Sequence, residues 1–447
     1  MNNFKAGFAR GNINPPMGIS MQGYYKERYA EAILDDLEVN ALALQCGETK
    51  SILVSVDTCG IAQGFSTLCR EAASEATGVP ADNIFISATH THTGPHLGIN
   101  SEDELIKEYT IFLRRRIADV AKAAVDDLKD AKMGYGQGKA PNVAFVRRYV
   151  MKDGSVRTNP GVNNPDIVRP VGATDDSVNI LRFDRDGAET IVLVNFANHP
   201  DTVGGCKISA DWPGLLRKDV EKILDGTKCI SFNGAQGDVN HVNVHPKPGD
   251  LNNMFMDFDD VSRGYAHAEY IARVITGGVL QAYDKVNYVE ADRLVTDYKV
   301  INVPSNRPDP KDLPEAHRIN ELHKAGRDSE LPYEGMMLTT IVAEAARMVR
   351  LENGPDAFDM RLSALSVGPV AIIGIPGEAF SGIGKGLKEA EGFDMIIPCG
   401  LTNGYEGYFP MQDSYDEGGY EAKGSPFKEG VAELIIEEGK NLLKSIK

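Results

Sequence analysis

Short apolar runs punctuate the chain at 51–56 (SILVSV), 84–87 (IFIS), 191–196 (IVLVNF), 229–232 (CISF) and 370–375 (VAIIGI). Unbroken runs of this length and β-branched content predict strands buried on both faces. Between them, apolar residues recur every three or four positions over 101–128, 212–224, 264–280 and 426–447, which predicts helices. Ser209-Ala210-Asp211 supplies a cap for the second helix, and a Lys-rich end suits the dipole of the last. The stretch 306–352 differs: it opens on Arg307-Pro308-Asp309-Pro310 and continues charged and helical. It reads either as an excursion or lid outside the main sheet or as a solvated helical hairpin. Strands interleaved with helices predict an α/β fold, a central mixed β-sheet core flanked by helices.

Composition narrows the function classes. The chain has 447 residues, a length that allows about three domains as a soft prior. Lys and Arg total 47 against 64 Asp and Glu, a net charge of −17. That balance excludes an electrostatic grip on nucleic acid and argues against stable membrane association, because both need clustered cations to meet phosphates. Residues 1–16 lack the apolar core of a secretory signal, and no run approaches the ~18 apolar residues of a membrane span. The six cysteines are scattered with no C-x-x-C pair, as in a protein that keeps reduced thiols. The expectation is a cytoplasmic protein acting on a small-molecule substrate, with homo-oligomerisation left open.

The chemistry lies just beyond each apolar run. The first leads into Asp57-Thr58-Cys59, the second into Thr89-His90-Thr91-His92 and the third into Asn198-His199-Pro200. The fourth leads into Asn233-Gly234-Ala235-Gln236-Gly237-Asp238 and the fifth into Pro376-Gly377-Glu378. Buried strands that discharge metal-competent residues at their carboxyl ends are how α/β proteins build a site from loops. His90 and His92 lie two apart on extended chain, so their imidazoles point to one side, a frequent arrangement for zinc at ~2.0–2.1 Å.

These motifs have an order. Ala88-Thr89-His90-Thr91-His92-Thr93-Gly94-Pro95, Asn198-His199-Pro200, Gly237-Asp238-Val239, Pro376-Gly377-Glu378 and Asn403-Gly404-Tyr405-Glu406-Gly407-Tyr408 resemble, in sequence, the motifs of neutral/alkaline (non-lysosomal) ceramidases, which are zinc amidases. The opening from Ala6-Gly7-Phe8-Ala9-Arg10 to Met21-Gln22-Gly23-Tyr24 resembles the start of that family's catalytic domain, so the likeness spans nearly the whole chain. It implies one catalytic domain over 1–447, with 306–352 as its helical excursion and without the C-terminal β-sandwich domain of secreted ceramidases. It also implies four zinc ligands, His90, His199, Glu378 and Tyr408, with His92 and Tyr420 facing the reacting centre and Arg148 contacting substrate.

The departures from the family pattern shape the functional expectation. Where the ceramidase motif continues into a catalytic serine, this chain has Asn240, followed by His241. Asparagine cannot serve as an acyl-accepting nucleophile, which leaves attack by zinc-bound hydroxide. Asn240 is then a candidate amide donor to the oxyanion, and His241 an added acid or base, a further metal contact or a turn residue. Adjacent Arg147 and Arg148 suit a polar or anionic group better than two alkyl chains. The expected function is a zinc-dependent hydrolase cleaving an amide or ester of a small polar or amphiphilic substrate. The alternatives are a metal-dependent lyase or isomerase acting on a carbohydrate or hydroxy acid, and a non-catalytic ligand-binding member.

Overall fold

The computed structural model describes residues 4–247, 250 and 264–447. The five predicted strands are present as Thr49–Val56, Ile84–Ala88, Thr190–Phe196, Thr227–Asn233 and Val370–Gly374. The first four lie in a nine-stranded mixed sheet. Its order runs Thr227–Asn233, Thr190–Phe196, Ser177–Arg185, Lys129–Lys139, Phe4–Asn12, Glu38–Cys46, Thr49–Val56, Ile84–Ala88, and Asn287–Val289 also pairs with Lys129–Lys139. The terminal pair at each end is parallel and the pairings between are antiparallel. The sheet curls until its ends approach: the Ser55 hydroxyl donates to the Ser231 carbonyl at 2.7 Å. Strand ends that are far apart in sheet order thereby meet at one place.

Val370–Gly374 belongs to a second sheet with Leu294–Pro304, Ala357–Val367 and Met395–Cys399. The two sheets pack face to face, and alternation along each strand divides its side chains between two cores. In Thr49–Val56, Ile52, Val54 and Val56 pack beneath helices Gln63–Thr77 and Glu104–Asp126, whereas Leu53 faces the second sheet. In Thr190–Phe196, Val192 and Val194 lie beneath helices Asp211–Ile223 and Tyr265–Tyr283, and Ile191 and Leu193 meet Leu365, Ile372 and Ile397 across the inter-sheet core. Helices Ser381–Lys388 and Val431–Ser445 cover the outer face of the second sheet. The result is four layers, helices outside two sheets, and it explains why the strands read as unbroken apolar runs.

The region 306–352 forms helices Leu313–Lys324 and Gly335–Leu351, which pack on each other around Ile319, Leu331 and Val342. The cap expected from Ser209-Ala210-Asp211 is shared out: Ala210 sits at the N-cap of helix Asp211–Ile223 with no side-chain bond, the Ser209 hydroxyl accepts from the Asp211 amide at 3.0 Å, and Asp211 accepts from the Val203 and Trp212 amides. Among the described residues no helix is long and apolar enough to cross a membrane.

Candidate metal centre

Three of the strand ends and the loop after Val370–Gly374 converge on a buried cluster. His90 sits just past Ile84–Ala88 with φ at +75°, a left-handed backbone that histidine tolerates better than most residues. Its amide donates to the Thr58 carbonyl, and its Nδ1 lies 2.5 Å from the Cys59 carbonyl oxygen. His199, past Thr190–Phe196, has its Nδ1 3.0 Å from the Gln236 carbonyl oxygen. A carbonyl only accepts, so both Nδ1 atoms carry the proton and both Nε2 atoms present lone pairs. Those lone pairs face each other at 3.2 Å, and His92 Nε2 lies 3.3 Å from His90 Nε2.

Glu378 completes the group. It lies on the short strand Glu378–Ala379, paired in parallel with Tyr408–Phe409 so that Glu378 and Tyr408 are register partners. Its Oε2 lies 3.3 Å from His90 Nε2 and 3.1 Å from His199 Nε2. Despite these distances the geometry makes no hydrogen bond, and Oε2 is a buried oxygen without a donor. Lone pairs gathered around a common point, with ring protons pinned outward by carbonyls, are the arrangement of a metal site and its supporting shell. His90, His199 and Glu378 therefore fit a divalent cation, and Cys59 with His90 and His92 forms an overlapping group. Imidazole and carboxylate donors suit zinc.

The carboxylate's electrostatics agree: burial would raise the Glu378 carboxyl, but His90 and His199 hold it well below the ordinary carboxylate range. Against burial, Glu378 and then Cys59 lift His90 well above the usual histidine value, so a proton competes with a cation for its Nε2. His92 falls well below that value through burial and then the neighbouring His90.

The remaining sequence candidates divide. Tyr408 and Tyr420, ring centroids 5.5 Å apart, line a cavity of about 480 Å³ that ends on Glu378. Burial and then Glu378 push the Tyr408 phenol well above its ordinary value, against the pull of Arg147. Arg147 lies over the Tyr408 ring, pairs with Glu421 at 2.7 Å and donates to the Gly237 carbonyl. Neither Arg147 nor Arg148 is among the residues lining this cavity, and the Arg148 guanidinium is buried against Ser414, Glu417 and the Gly418 carbonyl, a structural use of the charge. Asn240 donates to Asn159 Oδ1 at 3.1 Å and accepts from the Val242 amide at 3.0 Å, so its amide braces two loops. His241 turns away from the cluster, with Nδ1 3.0 Å from Asp201 and its ring against His267. Asp57, grouped by sequence with the metal-competent residues, is instead locked to Arg217 at 2.5 Å.

Three contributors carry no assignment in the sequence pattern. The Tyr405 hydroxyl lies 3.2 Å from Glu378 Oε1, a position implicit in the motif at 403–408 but assigned there to Tyr408 alone. Tyr24 stacks edge-on against His92 with centroids 5.5 Å apart, and Arg28 donates to the His92 carbonyl, so the loop at 21–28 fixes that imidazole.

Two solved structures share this architecture. Neutral ceramidase from Pseudomonas aeruginosa superposes with a TM-score of 0.74 at 16% identity, covering 99% of this chain and 74% of that one. The fold is ceramidase-like. A ceramidase complexed with C2 gives a TM-score of 0.73 at 15% identity, covering 100% of this chain and 76% of its own. No family model and no curated protein matches the chain. At such identities the ceramidase likeness speaks for the fold, and the chemistry rests on the residues themselves.

Proposed function

We propose that the chain is a zinc-dependent hydrolase that cleaves an amide or ester bond in a small polar or amphiphilic substrate. The observation that carries this reading is the convergence of His90 Nε2, His199 Nε2 and the donorless Glu378 Oε2 within 3.3 Å, with both Nδ1 atoms anchored on carbonyls. The ceramidase-like fold supports it.

When bound, zinc would acidify a coordinated water and polarise the scissile carbonyl. His90, His199 and Glu378 would hold it, with Tyr408 as the fourth ligand that the resemblance implies. His92, whose Nε2 lies 3.3 Å from His90 Nε2, is the histidine placed to pass a proton to the leaving group. Tyr420, which lines the same cavity, brings a hydroxyl that can donate to the developing oxyanion, whereas the single Tyr405 proton is already given to Glu378. Asn240 already donates to Asn159, so it steadies the loop beside His199 rather than leading that role.

Metal analysis of the purified protein should find stoichiometric zinc, and His90→Ala or Glu378→Ala should reduce it to background. Zinc retained in both variants would sink the assignment of the site. Reaction in isotopically labelled water separates hydrolysis from a lyase or isomerase using the same metal, because only hydrolysis places solvent oxygen in the product.

A further inference from the structure

The cavity that ends on Glu378 has a second chemical character at its other side. Its wall there is the last part of helix Gly335–Leu351, which contributes Arg347 and Arg350, three positions apart and so on one helix face. Arg347 is buried, and its guanidinium donates to two neutral acceptors, the carbonyls of Lys423 at 2.9 Å and Asn306 at 2.5 Å. Arg350 is exposed and makes no hydrogen bond or ion pair with any described residue. Among the described residues no carboxylate meets either charge at contact distance, in a chain that carries −17 overall.

The acids of the same cavity are otherwise engaged. Glu378 belongs to the histidine cluster, and Glu406, whose carboxyl burial pushes up, accepts from the Gln63 amide at 3.3 Å and meets the Arg350 charge only beyond contact distance. Tyr25 lines the cavity as well, and its phenol feels both the Glu378 carboxylate and the Arg350 guanidinium. Glu378, Tyr25 and Arg350 thus line one cavity of about 480 Å³, so one small molecule can meet both ends. Leu351, Phe358 and Phe427 supply an apolar stretch of wall.

We propose that Arg350, backed by Arg347, is an oxyanion-recognition subsite, so that the substrate carries a carboxylate or phosphate group remote from the bond that is cleaved. A guanidinium fork matches either group with paired hydrogen bonds, and an arginine with no carboxylate at contact distance gains most from such a ligand. The inference rests on the hydrolase reading above, because it assumes that the scissile group is held at Glu378.

The test is direct binding by calorimetry to zinc-loaded protein of linear hydroxamates, which chelate zinc, in matched chain lengths ending in methyl, carboxylate or phosphonate. At the best length, at least one anionic probe should bind about tenfold tighter than its methyl-ended partner, the worth of one charge-assisted contact. Arg350→Gln should erase that advantage, Arg350→Lys should keep part of it, and added salt should shrink it. The better of the two anions identifies the group. Equal binding of all three probes, or an advantage that survives Arg350→Gln, overturns the subsite while leaving the metal site intact. If no hydroxamate binds, or binding is unchanged in Glu378→Ala, the hydrolase reading fails and takes the subsite with it.

Discussion

Gly237 lies so close to the strand bearing Glu378 that a Cβ there would sit 2.4 Å from the Glu378 carbonyl oxygen, while its own amide donates to the Ala379 carbonyl at 2.8 Å. Backbone cannot give way as a flexible side chain can, so Gly237→Ala should push the strand aside and move the carboxylate. The expected cost is about 1–3 kcal/mol in stability, with weaker zinc binding, read by urea unfolding of chelator-treated protein and by zinc titration. Lower stability with unchanged zinc affinity would show that the carboxylate tolerates the shift. Residues of this kind mark the limit of what the sequence discloses. His90, His199 and Glu378 were legible because ligand chemistry restricts residue type. Asn240 and Arg148 invited functional roles, whereas the structure engages each with other side chains, Asn159 for one and Ser414 and Glu417 for the other, 81 and 266 or more positions away.

At the level of elements, legibility followed burial only in part. Five runs covered on both faces announced themselves, but the comparably buried Glu38–Cys46 and Met395–Cys399 did not, nor did strand Lys129–Lys139, with the sequence KDAKMGYGQGK. Its glycines serve close packing: a Cβ at Gly138 would fall 1.9 Å from the Gly278 carbonyl oxygen of helix Tyr265–Tyr283, a contact that no local pattern encodes. Helix Glu104–Asp126 was recognisable from its periodicity, and Asp103 caps it by accepting from the Leu105 and Ile106 amides at 2.9 and 3.4 Å. Asp103→Ala should cost about 1 kcal/mol in urea unfolding, and no change would mean that the first turn is held by packing alone. Helix Tyr265–Tyr283 carries a pH-dependent element. His267 is buried in its first turn against His241, its Nδ1 has no partner among the described residues, and burial followed by His241 lowers its pKa to about 3 from 6.5. The positive end of the helix dipole acts in the same direction. Between those values the unfolded chain binds the proton and the folded chain does not, so stability is fully present above 6.5 and is lost as pH falls towards 3. Unfolding of chelated wild type should weaken over this window more steeply than His267→Phe; parallel curves would show that His267 finds a partner for its charge.

On the scale of the whole molecule, the site exists because the sheet curls and brings its two ends together, and one buried ion pair sits at that closure. Arg217, from helix Asp211–Ile223, reaches Asp57 at 2.5 Å, Glu38 at 3.2 Å and the Ser231 hydroxyl at 3.1 Å, with Arg217 and Asp57 almost entirely buried. It thus joins a helix to the end of one strand, the start of the next and the far edge of the sheet. Asp57 also opens the turn whose Cys59 carbonyl receives His90 Nδ1, so the ion pair and the metal centre share a segment. Removing the cation strands a carboxylate in the interior, which is far costlier than losing a surface pair. Arg217→Met should therefore lower stability by about 3–5 kcal/mol and weaken zinc binding through the loosened turn. The double variant Arg217→Met/Asp57→Asn, which removes the stranded charge, should recover part of the stability. A single-variant cost below about 1 kcal/mol would place Arg217 with ordinary surface pairs and leave the curl of the sheet to hydrophobic packing.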